Sequence, residues 1–361
     1  MTLSPGLDFR KKEYRRETFL RFYEFHLRYK SHPGGVYYLI PFLRERYKWD
    51  DEQTLFFCFL NGNTQNPVTS WLLFNAGKDD LGSLKKFYEE NYGRLQYDTD
   101  RRHHKPFLME SLASYYNLLG DYSQKKFLDQ IADGGFSAIW DAATSVYTFG
   151  RLSAFSYSEY LKIAGVKFDC DTLFLHDMSG SKSHRNGLCI VTGRDEYDWH
   201  HSNPMFGGDY PPGLVETLIQ EADEILAEVH ERGAMGSKDA NLFTLESALC
   251  TYKSWHRPNR RYPNVYNDLM HDRICAAEYS WPEIDFSVFW EARTKYLPSY
   301  LRLEDTLSDP GCVPVKQNHY LRTGQPIMMD IEHECFKNSF NDGVRNADGE
   351  PSRLRKFWRR K

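Results

Sequence analysis

The stretch from Asp177 to Leu188 reads DMSGSKSHRNGL and gathers Ser179, Ser181, Lys182, Ser183, His184, Arg185 and Asn186 around Gly180 and Gly187. Nearly every side chain in it is a hydrogen-bond donor, and Lys182 and Arg185 add fixed positive charge. The glycines allow tight bends that turn backbone N–H groups outward. Together these are what an oligophosphate requires: many donors, permanent cations and close backbone approach. The run has no apolar periodicity, which predicts a loop rather than a core helix or strand. Leu173-Phe174-Leu175 upstream supplies a buried anchor, with His176 and Asp177 at the mouth of the loop. A solvated surface loop is the plain alternative. The familiar phosphate loops are absent. Gly180 and Lys182 are not adjacent and no glycine stands at the required upstream position, so G-x-x-x-x-G-K-[ST] fails, and no G-x-G-x-x-G occurs.

Other groups could serve the same chemistry. Residues 59–74, FLNGNTQNPVTSWLLF, set Asn61, Asn63, Thr64, Gln65 and Asn66 between two apolar segments. An amide offers a donor and an acceptor together, the complement of a pyrimidine's pairing edge. The competing reading is a turn, because Asn tolerates left-handed backbone. In a helix predicted over about 240–256, Leu242, Leu245, Leu249 and Tyr252 make the core stripe. Glu246, Cys250 and Lys253 form a parallel line at i, i+4 and i+7. Charge beside a core stripe is half-buried, and such charge is usually paired or functional; a surface ion pair is the plain alternative. Arg101, Arg102, His103, His104 and Lys105 form the densest basic run of the N-terminal half. With Arg257, Arg260, Arg261 and the terminal RLRKFWRRK, they offer contacts to a polyanion's backbone, or a solvated face and a solubilising tail.

Helices must carry these groups. The pattern predicts them over 9–30, with Arg15, Arg16, Arg21, Arg28 and Lys30 opposite an aromatic face, and over 36–47. A third, capped by Asp50 or Asp51, runs into the polar knuckle at 61–66. Further helices fall within 82–131, broken at Tyr97-Asp98-Thr99-Asp100, and within 134–163, where Gly150-Arg151 breaks the pattern. Residues 192–213 read as irregular. Leu214, Leu218, Ala222, Ile225, Leu226 and Val229 then mark an amphipathic helix that Gly233 stops. The last helices are expected near 264–278 and 283–297. Strand-like alternation is rare, so the architecture should be mainly α.

Composition bounds the rest. The chain has 361 residues with 41% hydrophobic, 27% charged and 16% aromatic content, as in folded domains, and its net charge of −4 advertises no polyanion partner by itself. The aromatic share suits a core and also stacking on bases. Residues 1–18 are polar, so no secretory leader is expected, and no run approaches the ~18 apolar residues of a membrane span. The seven cysteines are never spaced C-x-x-C, and the His103–His104 and His200–His201 doublets diverge. Reduced, buried thiols and no metal site are expected.

Four segments, in this order, resemble the phage amino acid:DNA transferases, also described as α-glutamyl/putrescinyl thymine pyrophosphorylases. They are FLNGNTQN at 59–66, TFGRLSAFSYSEYL at 148–161, FLHDMSGSKSHRNGL at 174–188 and LESALCTYKSW at 245–255, the third being the most specific. That family is similar to the 5-hydroxymethyluracil DNA kinases and the helix-hairpin-helix DNA glycosylases. The resemblance spans roughly residues 10–275 and implies a DNA-glycosylase-like multi-helix fold with irregular loops and little or no sheet. It suggests a catalytic body over 1–298, which could form two lobes around a DNA cleft, and a loop-rich extension over 299–361 with a basic tail.

The reaction it implies displaces pyrophosphate from 5-pyrophosphoryloxymethyluracil in DNA with the amine of an amino acid or polyamine. The product is a hypermodified thymine that protects phage DNA from host restriction. Under that implication Ser181, Lys182, Ser183 and Arg185 would bind the pyrophosphate, and Asn61, Asn63 and Gln65 would read the extruded base. Asp177, His184 or Glu246 could take the amine's proton, with Arg185 aiding departure of the leaving group. Arg151 and Lys253 would meet the co-substrate, and Arg101, Arg102, Lys105, Arg260 and Arg261 the DNA. The expected partners are double-stranded DNA carrying a modified uracil and the amine. No cofactor, metal or membrane is expected, and the protein should be a monomer in the host cytoplasm. A 5-hydroxymethyluracil DNA kinase, a base-flipping glycosylase and a non-enzymatic modified-DNA binding protein are the rival expectations.

Overall fold

The computed structural model describes residues 12–32, 35–177, 182–198, 210–253 and 269–297, excepting the side chains of 269, 271 and 272. The protein is mainly α, and no strand occurs among the described residues. In chain order the helices are α1 (Lys12–Tyr29), α2 (Val36–Tyr47), α3 (Asp51–Thr64), α4 (Pro67–Gly77), α5 (Leu81–Asn91), α6 (Arg101–His104), α7 (Leu108–Leu119) and α8 (Gln124–Ala132). There follow α9 (Gly135–Ser145), α10 (Arg151–Ala164), α11 (Ser183–Val191), α12 (Leu214–Arg232), α13 (Leu242–Tyr252), α14 (Leu269–Ser280) and α15 (Ser287–Tyr296). They form two compact units. One comprises residues 1–33, 172–272 and 293–361; the other comprises 34–171 and 273–292.

In the first unit α1, α11, α12 and α13 pack on one another. Phe19 and Phe22 of α1 meet the Tyr252 ring of α13 at 5.2 and 5.8 Å between centroids. The Tyr252 hydroxyl donates to the Arg15 carbonyl at 3.2 Å, and the Tyr23 and Thr244 hydroxyls lie 2.6 Å apart. α12 buries Leu218, Ala222, Ile225 and Val229 and ends at Gly233 with φ 59°, as its pattern predicts. Two arginines of α1 are engaged within the unit. Arg16 pairs with Glu221 at 2.8 Å and Glu228 at 3.1 Å, and Arg232 reaches back to Glu17 at 2.6 Å. Buried Arg15 pairs with Asp195 and donates to the Ile190 carbonyl.

The loop expected over 177–188 is corrected in its second half. Ser183–Val191 is a helix, and every residue from His184 to Val191 in it is buried. The physical reason lies at Gly187. A Cβ there would stand 2.6 Å from the carbonyl oxygen of Leu249, so the missing side chain lets the α11 backbone lie directly against α13. A helix that touches its neighbour through backbone needs no apolar stripe at that point.

In the second unit α3 packs against α4, α8 and α10. Asp50 and Gln53 form a reciprocal capping box at its start. The knuckle expected at 61–66 is corrected likewise. Asn61, Gly62, Asn63 and Thr64 are the last turn of α3, Gln65 is left-handed at φ 52°, and Asn66 caps α4. The Ser70 hydroxyl donates to Asn61 Oδ1 at 3.1 Å, which gives that buried side-chain amide an internal partner. Phe59 stacks on Tyr115 at 4.0 Å, and the Tyr115 and Tyr157 hydroxyls share a hydrogen bond of 3.0 Å. Gly62 faces this cluster, and a Cβ on it would lie 2.9 Å from Cζ of Phe149.

Gly62→Ala should therefore push the Phe149 ring out of its stack and lower stability by about 1–3 kcal/mol. A melting temperature equal to that of the wild type would contradict this packing. A second test concerns His26 and His32, buried in the first unit with rings 5.4 Å apart. Burial pushes His26 from its ordinary 6.5 down to about 3 and holds His32 well below its ordinary value, while His26 Nδ1–H donates to the Ser31 carbonyl at 2.8 Å. An unfolded chain would protonate both near 6.5. Their contribution to stability is thus whole above that pH and declines as pH falls toward about 3. His26→Gln should flatten the acid limb of a denaturation-midpoint-versus-pH curve.

Candidate active site

The expected residues divide between the two units. In the first, α11 and α13 position His184 and Glu246. His184 Nδ1 lies 3.3 Å from Glu246 Oε1, and the two side chains are 5% and 15% exposed. That is an ion-pair distance, but the angle is not that of a hydrogen bond. Among the described residues neither ring nitrogen of His184 has a hydrogen-bond partner. Gly187 and Leu249 stand one turn beyond His184 and Glu246 on their respective helices. The close approach at Gly187 thus sets the distance between the two side chains. Cys250 and Lys253 continue the line from Glu246; Lys253 is 8% exposed, and its Nζ lies 3.7 Å from Cys250 Sγ.

Arg185 is fully buried. Its Nη1 donates to the carbonyls of Asp177 at 3.0 Å and Leu175 at 3.4 Å, and its Nε donates to the Tyr210 hydroxyl at 3.1 Å. That hydroxyl in turn donates to the Tyr197 carbonyl at 3.1 Å. Arg185 therefore ties the start of the polar segment to the residues that follow α11, which differs from the open, anion-facing arginine expected. Tyr210 belongs to this network, and sequence reasoning missed it because a single tyrosine in a Gly- and Pro-rich stretch carries no period. Asp177 is exposed, and Lys182 and Ser183 are partly exposed where α11 begins. That end carries the positive pole of the helix dipole. Ser181, Arg260 and Arg261 lie outside the described residues.

In the second unit the expected DNA contact at Arg101 is corrected. Its side chain is buried, and its Nε donates to the Asn63 carbonyl at 2.8 Å. Nη2 reaches Asn63 Oδ1 at 3.2 Å, and Nη1 reaches the Thr148 carbonyl at 2.6 Å. Arg101 clamps the end of α3 to the turn before α10. Asn63 Nδ2 also donates to the Phe59 carbonyl at 3.2 Å. Lys105 donates to the Leu95 carbonyl at 2.6 Å and sits 4.3 Å from the Tyr92 ring centroid. Arg102 and His103 are the exposed members of the basic run. Gln65 Oε1 accepts from the Tyr160 hydroxyl at 3.2 Å, and the Gln65 carbonyl accepts from Arg273 at 2.7 Å. The amide nitrogens of Asn61 and Gln65 are buried and have no hydrogen-bond partner among the described residues. Arg151 is half-buried at the first position of α10.

A cavity of about 220 Å³ in this unit, lined by Phe56, Phe74, Tyr116 and Glu52 among others, includes none of the expected site residues. Among the described residues no cluster of His, Cys, Asp and Glu could hold a metal ion, and no helix is long and apolar enough to cross a membrane.

Residues 42–261 match the family described as amino acid:DNA transferase. A serinyltransferase of Salmonella phage ViI is 27% identical over 296 residues, covering 76% of this chain and 72% of the relative. No solved structure matches.

The geometry separates arginines that hold the fold from those that face outward. Arg101→Ala and Arg185→Ala each leave buried carbonyls without donors and should cost about 1–3 kcal/mol or more in thermal denaturation. Arg102→Ala should stay within about 0.5 kcal/mol of wild type. If Arg101→Ala and Arg102→Ala melt alike, the clamp is not there.

Proposed function

This chain belongs to the amino acid:DNA transferase family, and we propose that it displaces pyrophosphate from 5-pyrophosphoryloxymethyluracil in DNA with the amine of an amino acid. The named activity of its phage relative makes serine the first co-substrate to try. The product would be a hypermodified thymine, a change that would shield phage DNA from restriction.

The observation that carries this reading is the start of α11. There Lys182 and Ser183 stand at the positive end of a helix, next to buried His184 and its carboxylate neighbour Glu246. A diphosphate leaving group needs donors and positive charge already in place where negative charge develops. Lys182, Ser183 and the N–H groups of the first turn of α11 supply them, with Ser181 just upstream in the chain. The C5-methylene is allylic to the pyrimidine ring, so positive charge that builds as the C–O bond breaks spreads into the base. Extruding that base costs a few kcal/mol. Lys253, at the end of α13, is the cation assigned to the amino acid's carboxylate. Arg185 acts one step removed, by fixing the chain at Leu175 and Asp177 from which the polar segment departs.

Incubating the full chain with DNA containing 5-pyrophosphoryloxymethyluracil and a panel of amino acids and putrescine, followed by nucleoside mass spectrometry, tests this. A serine adduct with release of one pyrophosphate is the expected result. Lys182→Ala should lower turnover by about 100-fold. An adduct formed only from 5-hydroxymethyluracil DNA with ATP, or free abasic sites, would refute it in favour of a kinase or a glycosylase.

A further inference from the structure

We infer that His184 is the base that deprotonates the incoming ammonium through Nε2, and that Glu246 is a positioning residue that holds the ring at Nδ1. This rests on the function proposed above and selects among the groups able to accept the proton. A buried polar atom with no partner costs about 1–3 kcal/mol. His184 keeps two ring nitrogens without a hydrogen-bond partner among the described residues, and one of them stands 3.3 Å from a carboxylate. That pattern defines the roles. The nitrogen beside Glu246 takes the N–H, and Nε2, on the other side of the ring, keeps its lone pair. Asp177, the competing base, is exposed.

The step balances. An amino acid arrives as R–NH₃⁺ and gives one proton to Nε2, leaving R–NH₂ and an imidazolium whose charge faces Glu246. The amine's lone pair forms the C–N bond to the C5-methylene as the C–O bond breaks and its electron pair leaves with the diphosphate. The product is a secondary ammonium, R–NH₂⁺–CH₂–base. The imidazolium then passes its proton to the departing diphosphate or to water.

A nucleophile that is already unprotonated does not need this base. Aminooxyacetate carries a nitrogen nucleophile and a carboxylate, as an amino acid does, but its nitrogen is neutral at neutral pH. The experiment compares serine with aminooxyacetate as co-substrate on pyrophosphoryloxymethyluracil DNA, for wild type, His184→Gln and Glu246→Gln. Serine transfer should fall by about 100-fold or more in His184→Gln, the size of a lost general base. Aminooxyacetate transfer should fall by less than about fivefold, on the same scale. Glu246→Gln should show the same selectivity with a smaller loss, and Glu246→Asp should recover part of it. The Glu246 variants keep the test open if His184→Gln fails to fold, which circular dichroism would reveal. Equal loss with both nucleophiles would overturn the assignment and make His184 a leaving-group contact. If the wild type joins neither nucleophile to the DNA, the proposed function itself fails; a wild type active with both keeps that function and leaves only the base in question.

Discussion

The backbone contact between α11 and α13 at Gly187 and Leu249 governs what surrounds it. Two helices normally stand apart by the thickness of their side chains. Here one residue contributes none, and the α11 backbone comes within reach of a carbonyl of α13. Everything one turn away is drawn in with it. His184 and Glu246, which on a surface would be two solvated groups of little mutual effect, are 5% and 15% exposed and 3.3 Å apart. Removing water from around such a pair strengthens whatever acts between them and raises the cost of leaving either without a partner. The glycine is therefore the reason a strongly polar sequence can be interior, and the polar interior is the reason the site has chemistry to offer.

A second constraint follows from where the arginines go. The protein acts on DNA, yet its net charge is −4 and several of its arginines serve internal carbonyls and carboxylates. Arg15 and Arg16 hold α1 to the turn after α11 and to α12, Arg101 holds α3 to the turn before α10, and Arg185 holds the start of the polar segment. Guanidinium suits these places because its fork satisfies two or three carbonyl oxygens at once and never loses its charge. Among the groups expected to meet DNA, exposed Arg102 differs from buried Arg101 by one position in a four-residue helix. Residue type could not separate them; only the direction each leaves the helix does.

That difference shows what was legible. The amphipathic helix at 214–232 and the stop at Gly233 follow from local signals and stand at the expected place, and of Asp50 and Asp51, the two candidate caps of α3, the structure selects Asp50. The two polar segments 61–66 and 177–188 are equally visible as unusual. Their conformations are not. At 61–66 the count of Asn residues suggested a turn, whereas the left-handed residue is Gln65 and the asparagines before it are helical. At 177–188 the lack of an apolar stripe argued against a buried helix. That inference assumes side chains mediate helix contact, and Gly187 breaks the assumption. The line Glu246, Cys250, Lys253 was correctly placed beside a core stripe, but the partner of Glu246 lies sixty-two positions earlier in the chain, too remote for any periodicity to reveal.

The two halves of the proposed chemistry make opposing electrostatic demands on one helix end. A departing diphosphate calls for positive charge, which Lys182 and the dipole of α11 provide. A base that must become an imidazolium at the same place would be opposed by that charge. Glu246 meets that conflict from the neighbouring helix: its carboxylate stands 3.3 Å from the ring, while the N–H donors of the first turn point along the α11 axis. The carboxylate must come from a different element, since an acidic residue within the first turn of α11 would compete with the diphosphate for the same N–H groups. No acidic residue occurs in that turn. The crossing at Gly187 thus does more than bury a polar helix: it supplies, from α13, the negative charge that α11 could not carry itself.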